Sequence, residues 1–368
     1  MARAATLEPK GKAPAPAAIE LRWSSPLLLA LTSFATALVA AAALVALPHD
    51  PYIRYQQLAK TIQFRSQWRY ERIEFDPTPI DIAIIGNSRL EAGVSGPGLQ
   101  SQLRARLDRP LNVANLAMPQ EGRNMHYVLV KRLLARHPEV KLLILSVIER
   151  MPRDGHPAFR DLADARDVIS APALLNRDYL DALAALPYRQ LSLFIQSQAP
   201  TLFGDAPRLD PKHYAGPNLD SSKSFRLPDG RIVDREKVHS ATELAEQRAA
   251  KPEGRARFLP AAAGDLEFAV ERHYTRQIAA LARARGAKLI FLYLPGYADH
   301  RGIGDLDFYQ RLGPVLDFGS FADNPGLFAD YGHFNRFGTR LATARLAKLL
   351  SARLEAQSAA RRSDRAVP

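Results

Sequence analysis

The sequence predicts an α/β domain built on a doubly wound parallel sheet, joined to an amino-terminal transmembrane helix and interrupted by one long insertion. Three observations lead there. An isoleucine-rich run at residues 80–85 lies between Pro79 and Gly86, the pattern of a core strand that is apolar on both faces. Comparable apolar runs alternate with helix-period segments along the chain, which implies crossovers between parallel strands. Residues 26–47 carry no charge, and such a run matches the roughly 30 Å hydrocarbon thickness of a bilayer at about 1.5 Å per residue.

Each element can be justified in turn. Residues 1–25 are rich in alanine and proline, with Arg3, Lys10, Lys12 and Arg22 set against Glu8 and Glu20, and they read as a disordered cytoplasmic tail. The span, 26–48, follows. The basic residues before it place the amino terminus in the cytoplasm and the rest of the chain outside it. In a bacterial cell this is a single pass through the inner membrane with the domain in the periplasm. A cleaved signal peptide is the competing reading, with a cleavage site near residues 40–46. The apolar region, however, exceeds the roughly 7–15 residues of a signal core and starts only after a long tail, so an uncleaved anchor is expected. Residues 49–77 form a helical connector whose Tyr52, Tyr55, Phe64, Trp68 and Tyr70 suit either a membrane interface or packing on the domain.

The domain proper is expected over 78–355. Its first strand ends at Gly86, a helix follows over 97–106, and a second strand covers 111–116. A loop at 117–122 leads into a helix at 124–136 with apolar positions Tyr127, Val128, Val130, Leu133 and Leu134, and a third strand covers 141–148. From 151 to about 264 the pattern weakens into an insertion, with helix expected over 161–185 and a loop or small hairpin over 207–238. Structureless segments this long are uncommon unless they bind or cover something, so substrate choice is expected here. Regularity returns with a helix over 265–285 stopped by Gly286, a strand at 288–294, a short helix at 306–312, a fifth strand at 314–318 and a closing helix at 336–354. Residues 356–368 read as a disordered tail.

Composition narrows the function. With 368 residues, 47% of them hydrophobic, the chain can bury one large core. The absence of cysteine excludes a disulfide framework, a cysteine nucleophile and a thiolate metal site. The net charge of +12 suits anionic partners, but its arginines are dispersed among acids, so most of the charge reads as solvated surface and nucleic acid is not expected as a partner. His126, His137, His156, His213, His273 and His300 lack paired metal-ligand spacing and read as core or surface residues; neither metal nor cofactor is expected.

Two stretches carry chemistry. In Gly86-Asn87-Ser88-Arg89 a small hydroxyl residue follows a buried strand at its carboxyl end, where the ligand crevice of an open α/β sheet forms and helix amides favour negative charge. Asn87 or Ser88 could equally be a helix cap. In Asp330-Tyr331-Gly332-His333 a carboxylate stands three residues before an imidazole, on a loop leading into the closing helix. A serine hydroxyl needs such a base, held in the right tautomer by a third group, to become a nucleophile. Asn335 and Gly338 read as a cap and a close-packing position, Asp76 and Asp81 as strand-edge residues, and Glu91-Ala92-Gly93 as local structure. Arg89 could hold an anionic substrate or pair with a buried acid.

Together the two stretches resemble the SGNH (GDSL-like) hydrolase family, with its flavodoxin-like sheet. The resemblance covers roughly residues 78–150 and 286–350 and implies Ser88 as nucleophile, His333 as general base and Asp330 as the residue that orients it. It implies an oxyanion site formed by the Ser88 N–H and by a donor in the Gln120 to Gly122 region. The family's third donor, an asparagine in a Gly-x-Asn-Asp block, has no counterpart in Ser146-Val147-Ile148-Glu149-Arg150. That departure, with the amino-terminal anchor, is similar to the membrane-bound SGNH-type proteins of alginate acetylation and teichoic acid D-alanylation. It implies acyl transfer, most simply of acetyl, to an anionic or neutral polysaccharide, fed by an acylated donor or a membrane O-acyltransferase. A periplasmic carbohydrate or lipid esterase and a silent scaffold are the alternatives.

Overall fold

The computed structural model describes residues 25–147, 153–251 and 259–365; the expected tail 1–25 lies outside them but for its last residue. Helix α1 (Ser25–Val45) comes first, and its Pro26–Val45 portion is long and apolar enough to cross a membrane. After it, α2 (Pro51–Gln56), capped by Asp50, and α3 (Ser66–Glu74) carry the connector's aromatic residues. Of the two readings of those rings, packing on the domain is the one observed. Tyr52, Tyr55, Trp68 and Tyr70 are buried in the core beside the helix Arg123–Arg136, and the Phe64 ring packs at a tilt against Phe225 of the insertion. The connector is thus part of the folded unit.

Strands β1 (Ile82–Ile85), β2 (Val113–Asn115), β3 (Leu142–Ser146), β4 (Lys288–Tyr293) and β5 (Val315–Asp317) form one wholly parallel sheet in the order β2-β1-β3-β4-β5. Between them run α4 (Ser88–Gly93), α5 (Gly96–Leu107), α6 (Arg123–Arg136), α7 (Tyr179–Gln198) and α8 (Ala269–Ala284), and α9 (Arg336–Arg365) closes the chain. The period-two alternation of side chains sorts the strands onto two cores. Ala83, Ile85, Leu143, Leu145 and Phe291 face α6 and α8, whereas Ile82, Ile84, Ile144, Ile290 and Leu292 face α5 and α9. With helices on both faces, the strands are apolar except at their ends, and all four residues of β1 are apolar and buried.

Three expected boundaries move. The helix expected over 161–185 is three pieces, Phe159–Leu162, Ala165–Ile169 and α7. The chain breaks around Pro172, which cannot continue a helix, yet α7 passes through Pro187 to Gln198 although a proline normally ends a helix just before it. The helix expected over 265–285 is split at Phe268 (φ −106°, ψ 40°) into Gly264–Glu267 and α8, while Gly286, at φ +69°, stops it in the left-handed conformation glycine favours. The tail expected over 356–368 is instead helical through Arg365. That stretch has no glycine or proline and is rich in good helix formers; residues 366–368 lie outside the described residues. Within 207–238 the expected small hairpin is present, pairing Phe225–Arg226 with Ile232–Val233.

The turn from β1 into α4 demands a residue without a side chain. A Cβ on Gly86 would stand 2.7 Å from both Cβ and Oγ of Ser146 on β3, and 3.0 Å from Leu90. Gly86→Ala is expected to destabilise the protein by about 1–3 kcal/mol, the usual cost of overpacking, and Gly86→Ala with Ser146→Gly to recover most of that loss, both read as urea midpoints. A single variant as stable as the wild type would show that this close approach is not required.

Candidate functional site

The order 2-1-3-4-5 reverses direction between β1 and β3, and open α/β sheets bind ligands at the carboxyl ends of their strands at such a switch point. Ser88 lies there, as the first residue of α4. The cap and the hydroxyl are separate residues. Asn87, extended at φ −84°, ψ −175°, accepts from the Arg89 N–H through its Oδ1. Ser88 is therefore relieved of capping, and its own N–H falls outside the intrahelical ladder. Buried partners satisfy the other end of this short helix. Asn115 Nδ2 donates to the carbonyls of Leu90 (3.0 Å) and Val94 (2.7 Å), and Thr339 Oγ1 donates to that of Ala92 (2.8 Å).

His333 and Asp330 come from a tight two-stranded ribbon, Phe328–Asp330 against His333–Phe334, just before α9. His333 Nε2 is 2.8 Å from Ser88 Oγ, and its Nδ1 is 2.8 and 3.0 Å from the two Asp330 oxygens. With the proton on Nδ1, imidazole donates to the carboxylate and accepts from the serine hydroxyl. The two stretches, 245 residues apart in sequence, thus form one hydrogen-bonded relay. All three side chains are half-buried, so the relay is partly exposed to solvent. Asn335 caps α9 by accepting from the N–H groups of Phe337 and Gly338, and a Cβ on Gly338 would lie 2.3 Å from the Leu327 carbonyl oxygen.

The insertion braces this relay, through residues that carry no motif. Buried Arg235 places Nη1 3.6 Å from Asp330 Oδ2, and its carbonyl accepts from the Arg336 N–H (2.8 Å). Gln247 accepts from the Tyr331 N–H through its side chain (3.2 Å), and Arg248 donates to the Tyr297 carbonyl (2.7 Å). No local pattern in the sequence marks these residues, because their roles exist only once the insertion has folded back onto the turn. Arg89 lies 3.5 Å from buried Asp299 and 3.4 Å from the Leu294 carbonyl, so of its two readings the pairing with a buried acid is the one seen.

The loop after β2 reaches the residue before Ser88 through Glu121, which accepts from Asn87 Nδ2 at 3.3 Å. Gln120, at φ +71°, instead accepts from Gln63 (3.0 Å) and lines a cavity of about 640 Å³ beside His156. Gly122, at φ +147°, lies so close to His156 that a Cβ would stand 2.1 Å from its backbone nitrogen. Of the stretch 146–150, which has no counterpart of the family's third donor, residues 148–150 lie outside the described residues. His126 and His156 are core residues: burial first, and then Arg123 and His156 for the one and Arg69 for the other, hold both below the ordinary imidazole range, His156 at about 4. Among the described residues, no group of three or more His, Asp or Glu is placed to hold a metal ion.

Burial by itself would raise the Asp330 carboxyl, but the charge and hydrogen bond of His333, the Gly332 N–H and the Arg235 guanidinium outweigh it and bring the group to about 2 from its ordinary 3.8. A carboxyl lowered in the folded state contributes stability that is complete above its ordinary value and is lost as pH falls toward the lowered one. The stability difference between wild type and Asp330→Asn is therefore expected to shrink as pH falls from about 4 to about 2. Urea midpoints of the two proteins taken across that range check this, and a difference that stays unchanged from about pH 4 to about pH 2 would contradict it.

Fold and site together define a mixed α/β protein with a serine–histidine–aspartate relay at the switch point of a five-stranded parallel sheet. No family model matches the chain, and no curated protein matches it.

Proposed function

We propose that this protein is a membrane-anchored, serine-dependent acyl-transfer enzyme of SGNH type, moving an acyl group, most simply acetyl, onto hydroxyls of an exopolysaccharide or cell-envelope glycan. The observation that carries the reading is the unbroken hydrogen-bonded line from Ser88 Oγ through His333 to Asp330. The order of the two motif blocks and the 2-1-3-4-5 sheet support the family; α1 supports the anchor. In this reading the amino terminus is cytoplasmic and the domain sits on the periplasmic side of a bacterial inner membrane, beside an acylated donor or a membrane O-acyltransferase.

The chemistry follows from the geometry. His333 Nε2 takes the Ser88 proton as Oγ bonds to the ester carbonyl carbon, and Asp330 stabilises the resulting imidazolium. The Ser88 N–H, outside the helix ladder, is positioned to donate to the oxyanion, the type of contact whose removal costs about 2.7–4 kcal/mol of transition-state stabilisation. Collapse expels the alcohol, which takes the proton from Nε2 and leaves an acyl group on Ser88. A sugar hydroxyl then gives its proton to His333 Nε2 as it bonds to the acyl carbon; collapse breaks the bond from that carbon to Ser88 Oγ, and Nε2 returns the proton to Oγ.

The test is to incubate the full chain, in detergent or nanodiscs, with an aryl acetate, with and without uncharged and uronate oligosaccharides. Release of the aryl alcohol that is slow alone, quickens with oligosaccharide and leaves acetyl on the sugar is the expected result. Rapid hydrolysis indifferent to oligosaccharide would make water the acceptor and the protein an esterase. Release unaffected by Ser88→Ala would remove both and leave a scaffold.

A further inference from the structure

The outer face of α7 is apolar and uncovered. Its inner face, with Ala182, Leu186 and Leu193, is buried in the domain, whereas Leu180, Tyr188, Leu191 and Ile195 recur at helical spacing on the other side and are exposed. The turn that follows adds Leu202 and Phe203, the former 83% exposed. From residue 182 to 204 the sequence has a single charge, Arg189, and that side chain is turned into the protein. Contiguous exposed apolar surface of this kind marks an interaction site.

The position of the patch indicates what covers it. Helix α1 packs against α7. Where the chain leaves α1, the Asp50 N–H donates to Ser197 Oγ at 2.9 Å, and Gln57 Nε2 donates to Gln196 Oε1 at 2.7 Å. The exit point of the apolar helix is therefore pinned to the last turn of α7, a few residues from Leu202 and Phe203. If α1 lies in a bilayer, this end of α7 meets the headgroup layer. The stripe also carries an exposed aromatic phenol at Tyr188, the kind of ring enriched at membrane interfaces.

We infer that the outer face of α7 and the Leu202–Phe203 turn insert into the lipid interface beside α1, so that the domain is held to the membrane at two adjoining places and in one orientation. This rests on α1 entering the bilayer, as in the proposed function. A helix of this sort lies in the interface plane with its apolar side sunk about 5–10 Å into the headgroup and acyl boundary.

The absence of cysteine makes the experiment direct. Full chains carrying Thr32→Cys, Tyr188→Cys, Leu202→Cys or Ile232→Cys are labelled with bimane and reconstituted into phospholipid nanodiscs, with or without nitroxide-bearing acyl chains. The expected result is severalfold quenching at positions 32, 188 and 202 and none at 232, on the exposed hairpin. Quenching at 32 without quenching at 188 and 202 overturns the inference while leaving the anchor standing. Labels at 188 and 202 that are unquenched by lipid yet shielded from iodide overturn it in favour of a protein partner. No quenching at 32 removes the anchor, and the inference with it. Equal quenching at 232 overturns it as well, since the face would not be distinguished from the rest of the surface.

Discussion

Ser88→Ala is expected to lower kcat on an activated ester by about 10⁴-fold to 10⁶-fold, and His333→Ala by a similar factor, with the two losses far from additive because the side chains act as one unit. The reason is the relay itself: without the imidazole 2.8 Å away, the hydroxyl stays protonated at neutral pH. Asp330→Asn should cost less than either, since the imidazole remains while its orientation and its partner charge are weakened. Steady-state kinetics of the three single variants and the Ser88→Ala/His333→Ala double variant check this. Losses that multiply in the double variant would mean the two residues act independently and would contradict the relay.

The largest stability effect is expected at the buried ion pair between α3 and α4, the helix that Ser88 begins. Glu91, on α4, is buried and accepts from Arg69 Nη2 at 2.8 Å, with Arg65 at 3.8 Å. Arg69 is itself buried on α3 and donates to the Leu116 and Ala117 carbonyls. Burial pushes the arginine down from its ordinary value, and Glu91 opposes that shift. Removing one member of such a pair leaves a buried charge uncompensated and typically costs about 3–5 kcal/mol, whereas replacing both by apolar side chains of similar volume costs far less. Glu91→Leu alone should therefore be much less stable than Arg69→Leu/Glu91→Leu. Urea unfolding of the two singles and the double as a thermodynamic cycle decides the matter. Additive losses would show that the two side chains do not depend on each other. Because the pair ties α3 to α4, the single variants should also lose activity before they lose secondary structure.

The parts of this protein that are legible in its sequence are those where a local pattern changes abruptly. The strand ending at Gly86 is visible because an apolar run meets a residue with no side chain, and Ser88 stands out as the hydroxyl that follows. Asp330 and His333 are visible because a carboxylate and an imidazole share one turn before a long helix. The five strands can be read because strands covered on both faces carry apolar residues in succession, with polar ones only at their ends.

Other features depend on tertiary contacts that no window of residues contains. Arg69 lies on a polar-looking helix where an arginine would ordinarily be solvated, and its burial follows only from the docking of the connector onto the domain. Arg235 and Gln247 carry no motif, since the turn they brace lies roughly eighty to a hundred residues further on, and Arg248 carries none because the Tyr297 carbonyl it holds is 49 residues away. Asn115 ends a strand and serves a helix from an earlier part of the chain. The helix α7 is misjudged from sequence for a different reason: its proline argues against continuity, and packing of its inner face on the core overrides that local preference.

The central claim is that Ser88 is a nucleophile and not merely the first residue of a helix. The most direct measurement is peptide mass spectrometry on the full chain, acid-quenched during turnover of an aryl acetate. An acetyl group on the peptide bearing Ser88, absent from Ser88→Ala and slow to form in His333→Ala, is the predicted result. No adduct, or one that persists in Ser88→Ala, would contradict it.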